Sequence, residues 1–114
     1  MLTSKQRAFL AALAHDKKPV ILLGHKGLTD AVIKETKGAL LAHELIKTRL
    51  AEGGTEDEAK SLAEQAGAEL VEKLGRVVIL YRPHPEKPKI RLPGTKKKGL
   101  FDVAPGEADA PEGD

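Results

Sequence analysis

Cysteine is absent from the chain. That excludes a disulfide framework, thiolate metal ligation and thiol redox chemistry, and it fits a protein of the reducing cytoplasm. Tryptophan is absent too, and Phe9, Tyr81 and Phe101 are the only aromatics of the Phe, Trp and Tyr type. Rows of aromatic side chains that stack RNA bases on a sheet face are therefore excluded. No apolar run approaches the ~18 residues that cross a bilayer. The opening Met1-Leu2-Thr3-Ser4-Lys5 lacks the apolar core of a secretory signal. The histidines (His15, His25, His43, His84) show no ligand spacing, and His43-Glu44 lacks the second histidine of a His-Glu-x-x-His zinc motif. No nucleophile stands beside a base. The expectation is a cytoplasmic protein without metal, cofactor or catalysis.

What is present is a segregated charge. The 19 Lys and Arg residues all lie at or before Lys98, with 12 of the 17 acids. Residues 1–98 thus carry +7 and the remainder −5. Six acids and only two lysines fall between Thr55 and Leu74. A basic body with one acidic side suits a polyanion met by one face. At 114 residues one domain is expected over residues 1–93, a monomer. Residues 94–114, basic and then acidic without periodicity, read as a disordered tail. That tail, with its Leu100-Phe101 pair, is expected either to fold back on the basic face or to dock elsewhere.

Local signals give the element order. Thr3 with Gln6 forms a capping box for a helix running to about His15, with Phe9, Leu10 and Leu13 on one face. Val20-Ile21-Leu22-Leu23, between Pro19 and Gly24, is a short buried strand. Thr29 caps a second helix whose inner face is Val32, Ile33, Thr36, Ala39 and Leu40. From Leu45 to Leu50 the pattern alternates as in a strand. Thr55 and Glu58 open a third helix, predicted to continue through Leu70 and Leu74 to a stop at Gly75, with Gly67 inside it. Arg76–Arg82 is then a third strand, and Lys89–Leu92 a fourth at an edge. The fold class is α/β (α+β, two-layer), in the order α-β-α-β-α-β-β, with a mixed four-stranded sheet.

The strand-to-helix turn Gly24-His25-Lys26-Gly27 is the candidate site. Glycines let backbone approach a ligand closely and adopt positive φ. The next helix presents unpaired N–H groups and the positive end of its dipole. A Gly-x-x-Gly loop of this kind clamps sugar-phosphate backbone in KH domains. Parallel pairing through helical crossovers would place Arg49 and Arg82 at the same rim. The start of an antiparallel last strand would add Lys87 and Lys89. With so few aromatics, binding should rest on phosphate and sugar, and depend steeply on salt.

Several segments together resemble the bacterial YhbY-type CRM domain (chloroplast RNA splicing and ribosome maturation). They are Leu2-Thr3-Ser4-Lys5-Gln6-Arg7, Lys18-Pro19-Val20, Gly24-His25-Lys26-Gly27-Leu28-Thr29, His43-Glu44-Leu45-Ile46-Lys47 and Gly75 through Pro83. The resemblance spans roughly residues 2–93. It implies a fold similar to the C-terminal domain of translation initiation factor three. It also implies RNA binding through Gly24, His25, Lys26, Gly27 and adjacent basic surface, and association with precursors of the large ribosomal subunit. Two other readings stay open: a ribosome-associated protein-interaction adaptor, and a general DNA-binding protein.

Overall fold

Each helix starts where a threonine satisfies its first free N–H groups. In the computed structural model, which describes residues 2–93, α1 spans Ser4–Ala14, α2 Asp30–His43 and α3 Glu56–Ala66. At Thr3 the box is complete: its hydroxyl accepts from the Gln6 N–H, and the Gln6 side chain accepts from the Thr3 N–H, both at 3.0 Å. Thr29 accepts from Val32 at 3.1 Å and Thr55 from Glu58 at 3.2 Å. The predicted tail lies outside the described residues.

The strands are β1 Ile21–Leu22, β2 Leu45–Arg49, β3 Glu69–Leu74 and β4 Val77–Tyr81. They form one mixed sheet in the order β1-β2-β4-β3. β1 pairs parallel with β2, joined through α2; the other two pairings are antiparallel. One face carries Ile21, Ile46, Leu50, Val78 and Leu80 against α2 and α3, whose Leu40, Leu62 and Ala66 are fully buried. The opposite face carries Leu45, Val71, Ile79 and Tyr81 against Leu10 and Ala14 of α1. The sequence left the side of α1 open. It lies across from α2 and α3, pinned by the Arg7 guanidinium to the carbonyls of Leu70 and Val71.

The element order matches expectation, but two boundaries behind it do not. The third helix ends at Gly67, not Gly75. Gly67 takes φ +70° and returns its N–H to the Ala63 and Glu64 carbonyls, the left-handed terminus that glycine adopts without a Cβ penalty. Leu70 and Leu74 continue the helical spacing by coincidence. They belong to β3, which carries a register shift between Leu70 and Glu72. Gly75, with φ +61°, then starts a two-residue hairpin loop into β4.

The partner of the Val77–Tyr81 strand is therefore upstream. Lys89–Leu92, predicted as the edge strand, lies outside the sheet. Ile90 and Leu92 pack beside the α1 cluster without joining a ladder. β4 also runs antiparallel to β2, not parallel, with Leu45 opposite Tyr81 and Arg49 opposite Val77.

Candidate nucleic-acid interface

The Gly24–Gly27 segment is a tight turn at the carboxyl end of β1. Leu23 N–H still donates to the Arg49 carbonyl at 2.9 Å, and Gly27 N–H then closes the turn on the Gly24 carbonyl at 3.0 Å. The two glycines do different work. Gly27 has φ +66°, and a Cβ there would sit 2.8 Å from a carboxylate oxygen of Glu58. Gly24 has open space around it, so its value lies in leaving the backbone approachable. His25 and Lys26 are exposed at the tip. Glu58 brings to this loop a carboxylate that the sequence did not place there. Its approach comes from α3 packing against α2, and Asp30 adds a second acid in the first turn of α2.

The predicted convergence of Lys26, Arg49, Arg82, Lys87 and Lys89 on one rim does not hold. The Gly24–Gly27 turn and Arg49 do share an end, because Leu22 pairs with Arg49. Arg76 joins them: its carbonyl accepts from Leu50 N–H at 2.7 Å, and its side chain is exposed in the hairpin loop. Reversal of β4 sends Arg82 to the other end, beside the start of β2. Arg82 N–H donates to the Glu44 carbonyl, five residues before Arg49, a separation of about 17 Å along the strands. Sequence reasoning missed Arg76 at the rim because it took Gly75 for a helix stop. The two-residue Gly75-Arg76 punctuation between apolar runs was the available signal.

One row of side chains at the loop end is uncovered. Leu22, Arg49, Val77 and Leu74 pair in sequence across all four strands. Alternation puts them on the α1 face, but Leu22 and Leu74 remain 68% and 58% exposed. The row forms an apolar shelf with a guanidinium in it, directly beside the Gly24–Gly27 turn.

At the far end Arg82 closes the terminus of α3. Its guanidinium donates to the Ala66 carbonyl at 3.2 Å and lies against Gly67, a favourable place for a cation at a helix C-terminus. Lys87 and Lys89 are exposed on a segment organised by Glu44, a residue that the sequence did not single out. Glu44 follows α2 with φ +67° and is buried. Its carboxylate accepts from the backbone N–H groups of His84 at 2.7 Å, Lys89 at 3.0 Å and Ile90 at 3.0 Å. Three donors satisfy a charge that could not otherwise be buried cheaply. Burial, and then the negative charge of Glu44, raise the Tyr81 phenol above its ordinary value of 10.0.

No cluster of three or more potential metal ligands occurs among the described residues. No helix among them is long and apolar enough to cross a membrane.

Comparison with known proteins places this geometry in context. The family model of the CRS1/YhbY (CRM) domain matches residues 2–82. A Haemophilus influenzae "RNA-binding protein" is 42% identical over 97 residues, covering 81% of this chain and 95% of that protein. The Bacillus subtilis "Probable RNA-binding protein YqeI" is 36% identical, covering 82% of this chain and all of the relative. The solution structure of a Staphylococcus aureus hypothetical protein superposes with a TM-score of 0.66 at 35% identity. It covers 82% of this chain and 100% of that structure.

Proposed function

The chain belongs to the CRS1/YhbY (CRM) domain family, and from that premise we propose that it binds RNA by gripping the phosphate backbone with the Gly24–Gly27 turn. The carrying observation is the turn itself. Left-handed Gly27 and unobstructed Gly24 hold exposed Lys26 at the sheet end that also presents Arg49 and Arg76. Such a site offers backbone approach, cations and a following helix N-terminus, the features that a phosphate requires. The names of the H. influenzae and B. subtilis relatives support RNA as the polyanion.

The finer reading is ribosomal RNA of the large subunit or its precursor, bound by a cytoplasmic monomer during ribosome assembly. The role is one of binding, with no catalytic step. The test is affinity for a large-subunit ribosomal RNA fragment, measured against small-subunit RNA and against DNA of equal length. Lys26→Glu should weaken the first interaction at moderate salt while the far-UV circular dichroism stays unchanged. Equal affinity of variant and wild type would sink the loop assignment, and equal affinity for DNA would favour a general nucleic-acid binder.

The exposed Leu22–Leu74 shelf favours a second reading, a protein partner seated on the open sheet face. Leu22→Ser would then abolish capture of an assembly protein while leaving RNA affinity intact.

A further inference from the structure

A cleft of about 480 Å³ opens at the end of the molecule opposite the Gly24–Gly27 turn. It lies between the last turns of α1 and α2 and the 84–90 segment. Its apolar walls are Leu13 and Leu41, which are 43% and 54% exposed although each belongs to a helix of the packed domain. Its cations are Lys17, Lys87 and Lys89. None of these ammonium groups meets a carboxylate within ion-pair distance among the described residues; the pair found there is His15 with Asp16.

The one acid lining the cleft is Glu44, and its carboxylate is consumed by three backbone N–H groups. His84 is pinned by the same segment, its Nδ1 accepting from Glu86 and Lys87 N–H at 3.0 Å each. An imidazole that accepts at Nδ1 carries its proton on Nε2, leaving a donor in a fixed plane.

We propose that this cleft is a second RNA contact, which receives one unstacked nucleotide of a single-stranded segment. This rests on the RNA-binding reading above. The base lies on the apolar walls of Leu13 and Leu41, and its phosphates meet Lys17, Lys87 and Lys89. The volume is in the range of small-ligand sites, roughly 300–1,000 Å³. Single-strand recognition combines a cationic groove with side chains on which a base lies, commonly aromatic; here leucines supply that surface by burying one apolar base face. Three ammonium groups line this cleft against the one carboxylate of Glu44, whose oxygens are turned to backbone amides, with exposed Asp16 and Glu86 flanking it. The reversal of β4, which removed Lys87 and Lys89 from the Gly24–Gly27 rim, is what places them in a site of their own.

The experiment titrates the full chain with a short mixed-sequence single-stranded RNA and with a duplex of equal length. It compares wild type, Lys26→Glu, and the cleft variant Leu41→Ser/Lys87→Glu, whose two positions are exposed. The cleft variant should bind the single strand about tenfold more weakly, the scale of one lost phosphate contact together with part of a leucine's apolar burial under the base. Its affinity for the duplex should fall much less. Unchanged single-strand affinity in the cleft variant, with Lys26→Glu weakened, overturns the cleft and leaves the RNA reading standing. Equal losses on strand and duplex overturn the unstacked nucleotide. No RNA binding by wild type overturns both readings. Amide shifts at Lys89 and Ile90 on Phe101→Ala, without RNA, would show the chain's own tail in the cleft and overturn the proposal.

Discussion

Glu44→Gln keeps size and shape while removing the charge that holds residues 84–90 to the body. Each carboxylate oxygen receives two contacts: Oε1 from Lys89 and Ile90, and Oε2 from His84 and Lys89. A glutamine amide presents donors on one side, so whichever way it sits, either His84 or Ile90 faces an NH2 group. At least one part-buried N–H then loses its acceptor and the others lose charge assistance. With hydrogen bonds to charged groups contributing roughly 1.5–3 kcal/mol and an orphaned donor costing roughly 1–3 kcal/mol, a loss of about 2–4 kcal/mol follows.

Urea denaturation should show this as a midpoint lowered by about 1–2 M at unchanged slope. Amide exchange at Lys89 and Ile90 should accelerate ahead of the core. The backbone allows an internal control. Glu44 holds φ +67°, a conformation that costs a residue with a Cβ about 1–2 kcal/mol. Glu44→Gly should therefore be less destabilising than Glu44→Ala by about 1 kcal/mol, although both lose the carboxylate. A Gln variant within about 0.5 kcal/mol of wild type, the spread of neutral surface changes, would refute the reasoning.

Three further outcomes follow from the packing. Tyr81 is the only tyrosine and no tryptophan is present, so absorbance of the tyrosinate reports it alone. Its midpoint in the folded protein should lie above 10.0. The folded state then keeps a proton that the unfolded chain loses, so stability is intact below pH 10 and falls as pH rises through the folded value. Tyr81→Phe should remove that alkaline decline. Gly67→Ala should cost at least about 1 kcal/mol by forcing a Cβ into a left-handed helix terminus, measured by thermal melting. Finally, Leu62→Ala, at a fully buried α3 position, should cost about 2–5 kcal/mol, whereas Leu41→Ala on an exposed wall should cost far less.

Much of the architecture was legible because it is written locally. Thr3, Thr29 and Thr55 cap the three helices as their spacing implies, and the Ile21 and Leu45–Arg49 strands follow from apolar run and alternation. The sequence erred where a helical period runs on into a strand. Leu70 and Leu74 fall four and eight residues after Ala66, so they extend a helical stripe, yet they belong to a strand whose register shift puts them on opposite faces of the sheet. Only tertiary pairing with β4 decides between helix and strand. That single ambiguity moved one hairpin, reversed one strand against β2 and split the basic cluster in two.

The turn at Gly24–Gly27 was visible as glycine spacing. Its Glu58 neighbour was not, because that contact depends on how α3 packs against α2. Glu44 was invisible for a related reason. Nothing in a lone acid after a helix says that it will be buried and taken by amides 40 or more positions away.

The most direct measurement is the affinity of wild type and Lys26→Ala for single-stranded RNA across a salt series. If Lys26 grips a phosphate, the variant binds more weakly at every salt concentration tested, and its log–log slope is shallower by about 0.7, the share of one released counterion on a single strand. Identical affinities and identical slopes would place the RNA elsewhere on the protein and contradict the account.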